Sequence, residues 1–428
     1  MKRRSLWRWI VTAIVLGFAA LAYRMASPLL TVAIQTPPAD FARLTTTQWR
    51  EDLQYLVRKL PKVHKNAFAV TSEQTFKAHA EQLDRDLAGL TGDQIVVRMM
   101  ELVSQLGDAH TCVAAFAAGS GTLPIRVRWF SDGLFVIQAT SEFRETLGTK
   151  IIGLGEHSVE EAYQMVGRII PKVNDSWTRE VSQQYLTNVR VLNALGVCTT
   201  SSSLRVTCER SDGTRFTTEL PASVNTDQIW LQAARTLPLY EQRSDVPYWY
   251  QYLPDARAVY VRFRQCIGVR SFSSLNRELW NRVKTEQALY MIVDMRGNGG
   301  GNSMVFEPLV SALRRDPVLS RPGHLYVVID RGTFSSAVIN AVELHEECGA
   351  RLIGEPSGGR PNSFGEVRAF RLPNSRLTIT YSTKYFRLVD EDAESLMPSS
   401  VVLTSSADYL AGQDPVMNEI LRLIKLSQ

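Results

Sequence analysis

Between residues 256 and 356 the chain alternates continuous apolar segments with segments of helical periodicity. The apolar segments are ARAVYVRF, ALYMIVDM, LYVVID and ARLIGEP. Strands that lack an inside/outside alternation are buried on both faces, as in a parallel sheet covered by helices. Helical periodicity lies around 273–286, 304–314 and 336–347. The sequence therefore predicts an α/β core with a parallel sheet.

A strand-to-helix turn in this core carries four glycines within the five residues 297–301. Ligands of open α/β sheets collect at the carboxyl ends of the strands. Glycines leave backbone N–H groups bare, which suits an oxyanion hole or an anion nest. A phosphate-binding P-loop is excluded because no Lys-Ser/Thr pair follows the glycines. The alternative is a tight turn that merely needs glycine, but four clustered glycines favour the functional interpretation.

The next such turn, IDRGTFSSA, places Ser335 and Ser336 between LYVVID and a helix of small and apolar residues. A serine at this helix start has its Oγ at the top of the sheet, near a positive helix dipole that favours a developing alkoxide. Ser335 is therefore a candidate nucleophile. The alternative is an ordinary N-cap serine, since serine is a preferred cap.

A nucleophilic serine needs a base, and six histidines are available. His110 alone sits in a Gly-containing turn that closes a helix, beside Asp108 and Thr111. Metal chemistry finds little support, because the HEEC stretch that begins at His345 has Gly349 where a zinc-binding HExxH helix has its second histidine. No metal or other cofactor is expected.

The positive charge of the chain is concentrated at its start. The formal net charge is +5, and four of these units come from Lys2, Arg3, Arg4 and Arg8. The rest of the chain is nearly neutral, which argues against a nucleic-acid partner. An uncharged stretch, 9–23, follows the basic cluster, as in an export signal or a short membrane anchor. Both interpretations place the remaining chain outside the cytoplasm.

The pattern of apolar and polar residues changes along the chain and divides it into four regions. Residues 1–34 are predicted to form the signal or anchor with a linker, and residues 35–118 a helical N-terminal region. Residues 119–225 contain short alternating segments and one helical stretch, VEEAYQMVGRII, which predicts a β-rich region. Cys198 and Cys208 flank a hairpin-like segment there and are able to pair, but nothing compels it, and five cysteines leave one unpaired. Residues 226–428 form the α/β core.

The motifs resemble those of the tail-specific, or C-terminal-processing, serine peptidases, including their tricorn-core-like and retinoid-binding-protein-like relatives. The resemblance rests on four ordered segments, LGDAHT, ALYMIVDMRGNGGGNS, VVIDRGTFSSAVINAVE and ARLIGEPSGGRPNSFGEV. It implies a core of the ClpP/crotonase type and a degenerate PDZ-like module over 119–225. It also implies Ser335 as the nucleophile and the amides of Gly299, Gly300, Gly301 and Ser336 as oxyanion donors.

The resemblance also bears on the base. One branch of the family has a general-base lysine about 25 residues after the serine, where this chain has Arg360. Arginine stays protonated near neutral pH, so it cannot act as a base. The other branch takes its base from the upstream Asp-x-His-Thr element, which makes His110 the leading candidate and Lys384 a distant second.

The orienting carboxylate of the family comes from its C-terminal segment, here RLVDEDAES, so that Glu391 and Asp392 are equal candidates. Asp108 is closer in sequence but has the alternative of bracing its own turn. The sequence thus predicts an extracytoplasmic serine peptidase acting on polypeptides. Two alternatives remain: a non-catalytic peptide- or lipophile-binding protein on the same scaffold, and a crotonase-type enzyme acting on thioesters.

Overall fold

A computed structural model of the protein describes residues 39–116, 121–222 and 229–427. The predicted signal or anchor with its linker, 1–34, lies outside these residues. No helix within the described ranges has the length and apolar character needed to cross a membrane.

The described chain begins with three amphipathic helices and a short strand. These are α1 (Thr46–Val63), α2 (Glu73–Asp86), α3 (Gly92–Ser104) and β1 (Val113–Ala114). Helices α1 and α3 each start at a capping box, in which a threonine and a glutamine three residues later bond reciprocally to the backbone. The region predicted to be helical thus contains three helices, and the turn after α3 carries the predicted base.

The next region is built on an antiparallel sheet. Its elements are β2 (Ile125–Phe130), β3 (Gly133–Thr140), β4 (Lys150–Leu154), β5 (His157–Ser158), α4 (Val159–Gly167), α5 (Asp175–Leu186), α6 (Val189–Ala194), β6 (Ser203–Glu209), β7 (Arg215–Pro221) and β8 (Trp230–Gln232). The strand order is β2-β3-β4-β6-β7, with β5 paired to β4 and β8 paired to β3.

This region contains three helices where the sequence predicts one. Helix α5 was missed because its sequence is polar and few of its residues, Ser182 and Leu186 among them, are buried, so its apolar periodicity is weak. Cys198 and Cys208 are free thiols, as are the other three cysteines of the chain, so the optional pairing is not formed.

The remaining residues form the core and a hairpin beside it. They comprise β9 (Tyr248–Leu253), β10 (Ala258–Phe263), α7 (Val269–Thr285), β11 (Tyr290–Asp294), α8 (Glu307–Leu313), β12 (Leu325–Ile329), α9 (Ser336–Cys348), β13 (Arg351–Gly354), β14 (Ser363–Arg371), β15 (Thr378–Phe386), β16 (Ser400–Val401), α10 (Ser406–Leu410) and α11 (Pro415–Ser427).

Six of these strands form the predicted sheet. Their order is β16-β13-β12-β11-β10-β9, and all neighbours are parallel except β9, which pairs antiparallel with β10. Residues such as Val261 and Val327 face a core shared with helices α7 to α9. Their neighbours, such as Tyr260 and Ile292, face the other side, where α11 packs. Burial on both faces explains the continuous apolar segments.

The hairpin β14–β15 joins β1 in a separate three-stranded sheet, with β15 in the centre. Val113 and Ala114 pair with Ile379 and Thr378 on β15. The Thr380 hydroxyl, on the same strand, donates to the backbone carbonyl of His110 at 2.8 Å. The hairpin therefore fixes the turn after α3 in place beside the core sheet, although these parts are distant in sequence.

Candidate active site

Ser335 lies where β12 leads into α9 and is held in an unusual backbone conformation. Its φ is 54° and its ψ is −124°, a region that residues with a Cβ rarely adopt. It occupies the N-cap position of α9, yet its side chain makes no capping hydrogen bond. The Oγ lies instead 3.0 Å from Nε2 of His110. The structure therefore does not support the interpretation of Ser335 as an ordinary N-cap.

His110 stands between the serine and a buried acid. Its ring packs against Phe334, the residue before Ser335, with ring centroids 4.7 Å apart. On its other side, Nδ1 lies 3.6 Å from Oδ1 of Asp108. A histidine placed between a hydroxyl and a carboxylate has the order of groups that activates a serine for attack.

Asp108 is nearly inaccessible to solvent, and its carboxylate is saturated with donors. Oδ2 accepts from Thr111 Oγ1 at 2.6 Å, from Ser382 Oγ at 2.6 Å and from His64 Nε2 at 3.0 Å, while Oδ1 accepts from the His110 backbone N–H at 3.0 Å. Burial alone raises the pKa of this carboxyl, but the bonds from His110, His64 and Ser382 outweigh burial and hold the pKa far below its ordinary value. Asp108 is therefore a fixed anion beside His110.

A second histidine completes this cluster from behind. His64 is buried, and its Nδ1 accepts the backbone N–H of Asn66 at 3.0 Å. A ring nitrogen that accepts carries no proton in neutral imidazole, so the proton is on Nε2 and is donated to Asp108. His64 thus supports the carboxylate without reaching the serine.

The structure does not bring Glu391 or Asp392 to His110. Both side chains are exposed, and Asp392 accepts a hydrogen bond from Asn362 Nδ2 at 2.8 Å. Asn362 also accepts the backbone N–H groups of residues 388 and 389, which holds this segment at the rim of the cleft. The carboxylate that lies beside His110 is that of Asp108, which the sequence left open as either the orienting acid or a brace for its own turn.

Lys384, the distant second choice for a base, is also placed elsewhere. Its ammonium group is exposed and lies 3.5 Å from the carboxylate of Glu366. Because this pair is formed across the hairpin β14–β15, the lysine has an ionic partner of its own and does not take part in the His110–Ser335 contact.

The glycine loop lies directly against the nucleophile. A Cβ added to Gly300 would meet the Cβ of Ser335 at 2.7 Å and the backbone N of Ser336 at 2.9 Å, so only glycine allows this approach. The Gly300 amide itself donates to Asn298 Oδ1 at 2.9 Å. Within the described ranges the amides of Gly299, Gly301 and Ser336 donate to no protein acceptor. Three of the four predicted oxyanion donors are therefore unengaged.

A buried ionic network anchors this loop to the sheet. Arg296 donates to the carboxylates of Asp294 and Asp414, and Arg262 donates to the backbone carbonyls of residues 294 and 296. Burial raises the pKa of Asp294, but the charges of Arg296 and Arg262 outweigh burial and lower it below its ordinary value. The loop is thus fixed at its start by charged groups that satisfy one another.

The serine and histidine open into a cleft of about 480 Å³. Apolar residues, Val70, Phe364 and Tyr385 among them, line part of it, while Lys65 and Arg360 add positive charge. Among the described residues no three His, Cys, Asp or Glu side chains are grouped to hold a metal ion. The arrangement places a serine, a histidine with a carboxylate, and free backbone donors beside an open groove.

Sequence reasoning missed two partners of this site. His64 lies in a stretch without a recognised motif, and Ser382 lies on a strand of the hairpin that the sequence did not reveal. Only the three-dimensional structure reveals their role, because both donate to the same oxygen of Asp108. The local indication was Asp108 itself, because an acid buried in the turn after α3 needs hydrogen-bond donors around it.

No protein-family model and no curated protein sequence matches this chain. Solved structures do match. Mature CPAF complexed with lactacystin aligns with a TM-score of 0.63 at 12% identity, over 89% of this chain and 98% of that one. Mature CPAF alone aligns with a TM-score of 0.62 at 13% identity, over the same shares. The photosystem II D1 C-terminal processing protease aligns with a TM-score of 0.40 at 13% identity, over 87% of this chain and 99% of that one.

At 12–13% identity, the two CPAF alignments show similarity of fold and not of activity. The protein has a mixed α/β fold, with helices and several sheets arranged as in CPAF. The resemblance of its motifs to the tail-specific serine peptidases is therefore confirmed at the level of the fold.

Proposed function

We propose that the protein is a serine peptidase in which Ser335 is the nucleophile and His110 the general base. The observation that carries the proposal is the 3.0 Å distance between His110 Nε2 and Ser335 Oγ, across 225 residues of sequence. This contact lies within the range required for proton transfer. It also favours catalysis over the alternative of a non-catalytic binding protein, in which the two side chains need not meet.

The first half of the reaction forms a tetrahedral intermediate. Ser335 Oγ attacks the peptide carbonyl carbon while its proton moves to His110 Nε2. The imidazolium that forms is stabilised by Asp108, whose depressed pKa keeps the carboxylate ionised near neutral pH. The negative charge on the carbonyl oxygen is met by backbone N–H groups, for which Ser336 and the glycine loop are the candidates.

The second half returns the enzyme to its starting state. His110 delivers its proton to the leaving amine, and the C–N bond breaks. A water molecule then attacks the carbonyl carbon of the acyl-enzyme and gives a proton to His110 Nε2. His110 returns this proton to Ser335 Oγ as the ester C–O bond breaks and the acid product is released. Apart from the water molecule, each step uses side chains and backbone groups that are already in place in the resting protein. This scheme therefore requires no cofactor.

The proposal is tested by peptide hydrolysis. The purified protein and its Ser335→Ala variant are incubated with a mixture of unstructured peptides, and cleavage is followed by mass spectrometry. We expect Ser335→Ala to lower the rate by about a thousandfold or more. Ser399→Ala, which changes an exposed serine away from the cleft, serves as the matched control. Equal cleavage by wild type and Ser335→Ala would rule out the assignment.

We further propose a core of the ClpP/crotonase type and a PDZ-like module over 119–225 that presents polypeptides by strand addition. Support comes from the family motifs and from β7, which forms an edge of the antiparallel sheet. A photo-crosslinking peptide is expected to label residues 119–222. Crosslinks confined to the helical N-terminal region would contradict this role.

We also propose that the protein acts outside the cytoplasm. The support is the basic cluster followed by an uncharged apolar stretch over 9–23. Fusion of residues 1–40 to alkaline phosphatase, which is active only after export, is expected to give activity. A fusion in which the four basic residues and the apolar stretch are replaced by polar residues provides the control. An inactive first fusion would refute the location.

A further inference from the structure

Arg360 lies beside the nucleophile, in the same cleft. It follows Gly359, whose backbone packs so closely on the nucleophile turn that an added Cβ would meet the Ser335 backbone N at 3.2 Å. Arg360, Ser335 and His110 all line the cleft. The guanidinium is therefore positioned where the part of a bound peptide next to the scissile bond must pass.

The guanidinium of Arg360 has no acceptor in the described part of the chain. Its Nε is buried and without a hydrogen-bond partner, and no carboxylate pairs with it. Two other arginines of the core have carboxylate partners: Arg331 pairs with Glu355 at 2.6 Å and Arg296 with Asp414 at 2.8 Å. An arginine that has no protein acceptor and lies beside the candidate active site is available to bind an anionic group of a ligand.

The other charges that face the cleft leave this role open. Lys65 is exposed at the cleft, and its ammonium makes no ion pair with the described residues. Asp108 is buried and saturated with donors, while Asp392 is bound by Asn362. Two cations thus face the groove without partners, which makes it complementary to a negatively charged substrate group.

We propose that Arg360 binds a carboxylate of the polypeptide substrate close to the scissile bond, so that the enzyme selects peptides that carry a negative charge there. The carboxylate is either an Asp or Glu side chain or the free C-terminus. The planar guanidinium fork matches a carboxylate with two parallel hydrogen bonds, and Lys65 adds attraction at longer range. This inference rests on the proposed peptidase function.

The test compares matched peptides. One set differs by Glu or Gln at each position around the cleavage site, and the other ends in a free carboxylate or a carboxamide. For wild type we expect kcat/KM to be about tenfold to a hundredfold higher for the acidic member in one set. Arg360→Gln should reduce this ratio to about one. Arg368→Gln, which changes an exposed arginine on β14 outside the cleft, should leave the ratio as in wild type.

Two results would overturn the inference: a wild-type ratio near one in both sets, or a ratio that persists in Arg360→Gln. Failure of the proposed function looks different, because then no peptide is cleaved by any variant. In that case the carboxylate preference is measured by the binding of fluorescently labelled versions of these peptides. The acidic member should bind more tightly than its neutral partner to Ser335→Ala, but not to the double variant that also carries Arg360→Gln.

Discussion

At the scale of single residues, the site depends on a carboxylate that must stay charged. Asp108 accepts four hydrogen bonds in a buried position, and its pKa lies far below the ordinary value of 3.8. The unfolded chain takes up a proton near 3.8, whereas the folded protein resists it. Asp108 therefore stabilises the fold above this pH, and the stabilisation is lost as the pH falls from 3.8 towards the folded pKa.

Asp108→Asn tests both consequences. We expect kcat to fall by about a thousandfold or more, because the imidazolium of His110 loses its counter-charge. In thermal unfolding, wild type should lose more stability than Asp108→Asn between about pH 5 and about pH 3. Parallel losses of stability in the two proteins over this interval would contradict the assigned ionisation.

The backbone conformation of Ser335 predicts a measurable effect on stability. Its positive φ of 54° strains any residue that has a Cβ, by about 1–3 kcal/mol, and glycine avoids this cost. Ser335→Gly is therefore expected to be inactive yet more stable to urea than Ser335→Ala, which keeps the Cβ. Equal midpoints for the two inactive variants would show that the turn is not strained.

At the scale of elements, the glycine loop must approach the nucleophile turn without side chains. Gly300→Ala places a Cβ 2.7 Å from the Cβ of Ser335, so the loop has to move away. We expect peptide hydrolysis to fall by about a hundredfold or more, since a displaced oxyanion donor costs this much. Gly299→Ala, whose Cβ meets no heavy atom within 4 Å, should lose far less. Equal losses would contradict the role of the close contact.

The elements of the core were accessible from sequence, whereas the hairpin was not. Continuous apolar segments indicated the parallel strands because both faces of the sheet are covered. Strands β14 and β15 carry charged and exposed residues such as Arg368 and Lys384, so their alternation is weak. Strand β15 fixes the turn that holds His110. The sequence therefore indicated this histidine as a candidate base but did not show what holds it in position.

At the scale of the whole molecule, the antiparallel region packs against the candidate active site through α5. Trp177 stacks on Phe334 with ring centroids 4.0 Å apart, and Phe334 in turn packs against His110. Asn174, the N-cap of α5, donates through Nδ2 to the carbonyls of Ser357, Gly358 and Glu394. The hydrogen bonds of Asn174 connect residues more than 180 positions apart, and no local pattern in the sequence reveals them.

Asn174→Asp separates the two roles of this side chain, which caps α5 and donates to three carbonyl groups. The carboxylate still accepts the backbone N–H of Trp177 and so keeps the helix cap, but it cannot donate to the three carbonyls. We expect the free energy of unfolding to fall by about 1–3 kcal/mol and activity to fall with it. Urea denaturation and peptide hydrolysis measure the two. Unchanged values in both would exclude α5 as a support of the site.

The central claim is that His110 activates Ser335, and covalent labelling tests it most directly. A fluorophosphonate probe reacts with an activated serine, and mass spectrometry locates the adduct. We predict an adduct at Ser335 in wild type, none in Ser335→Ala, and a labelling rate lowered by about a thousandfold or more in His110→Ala. Labelling of Ser335 at the wild-type rate in His110→Ala, or an adduct that persists in Ser335→Ala, would contradict the account.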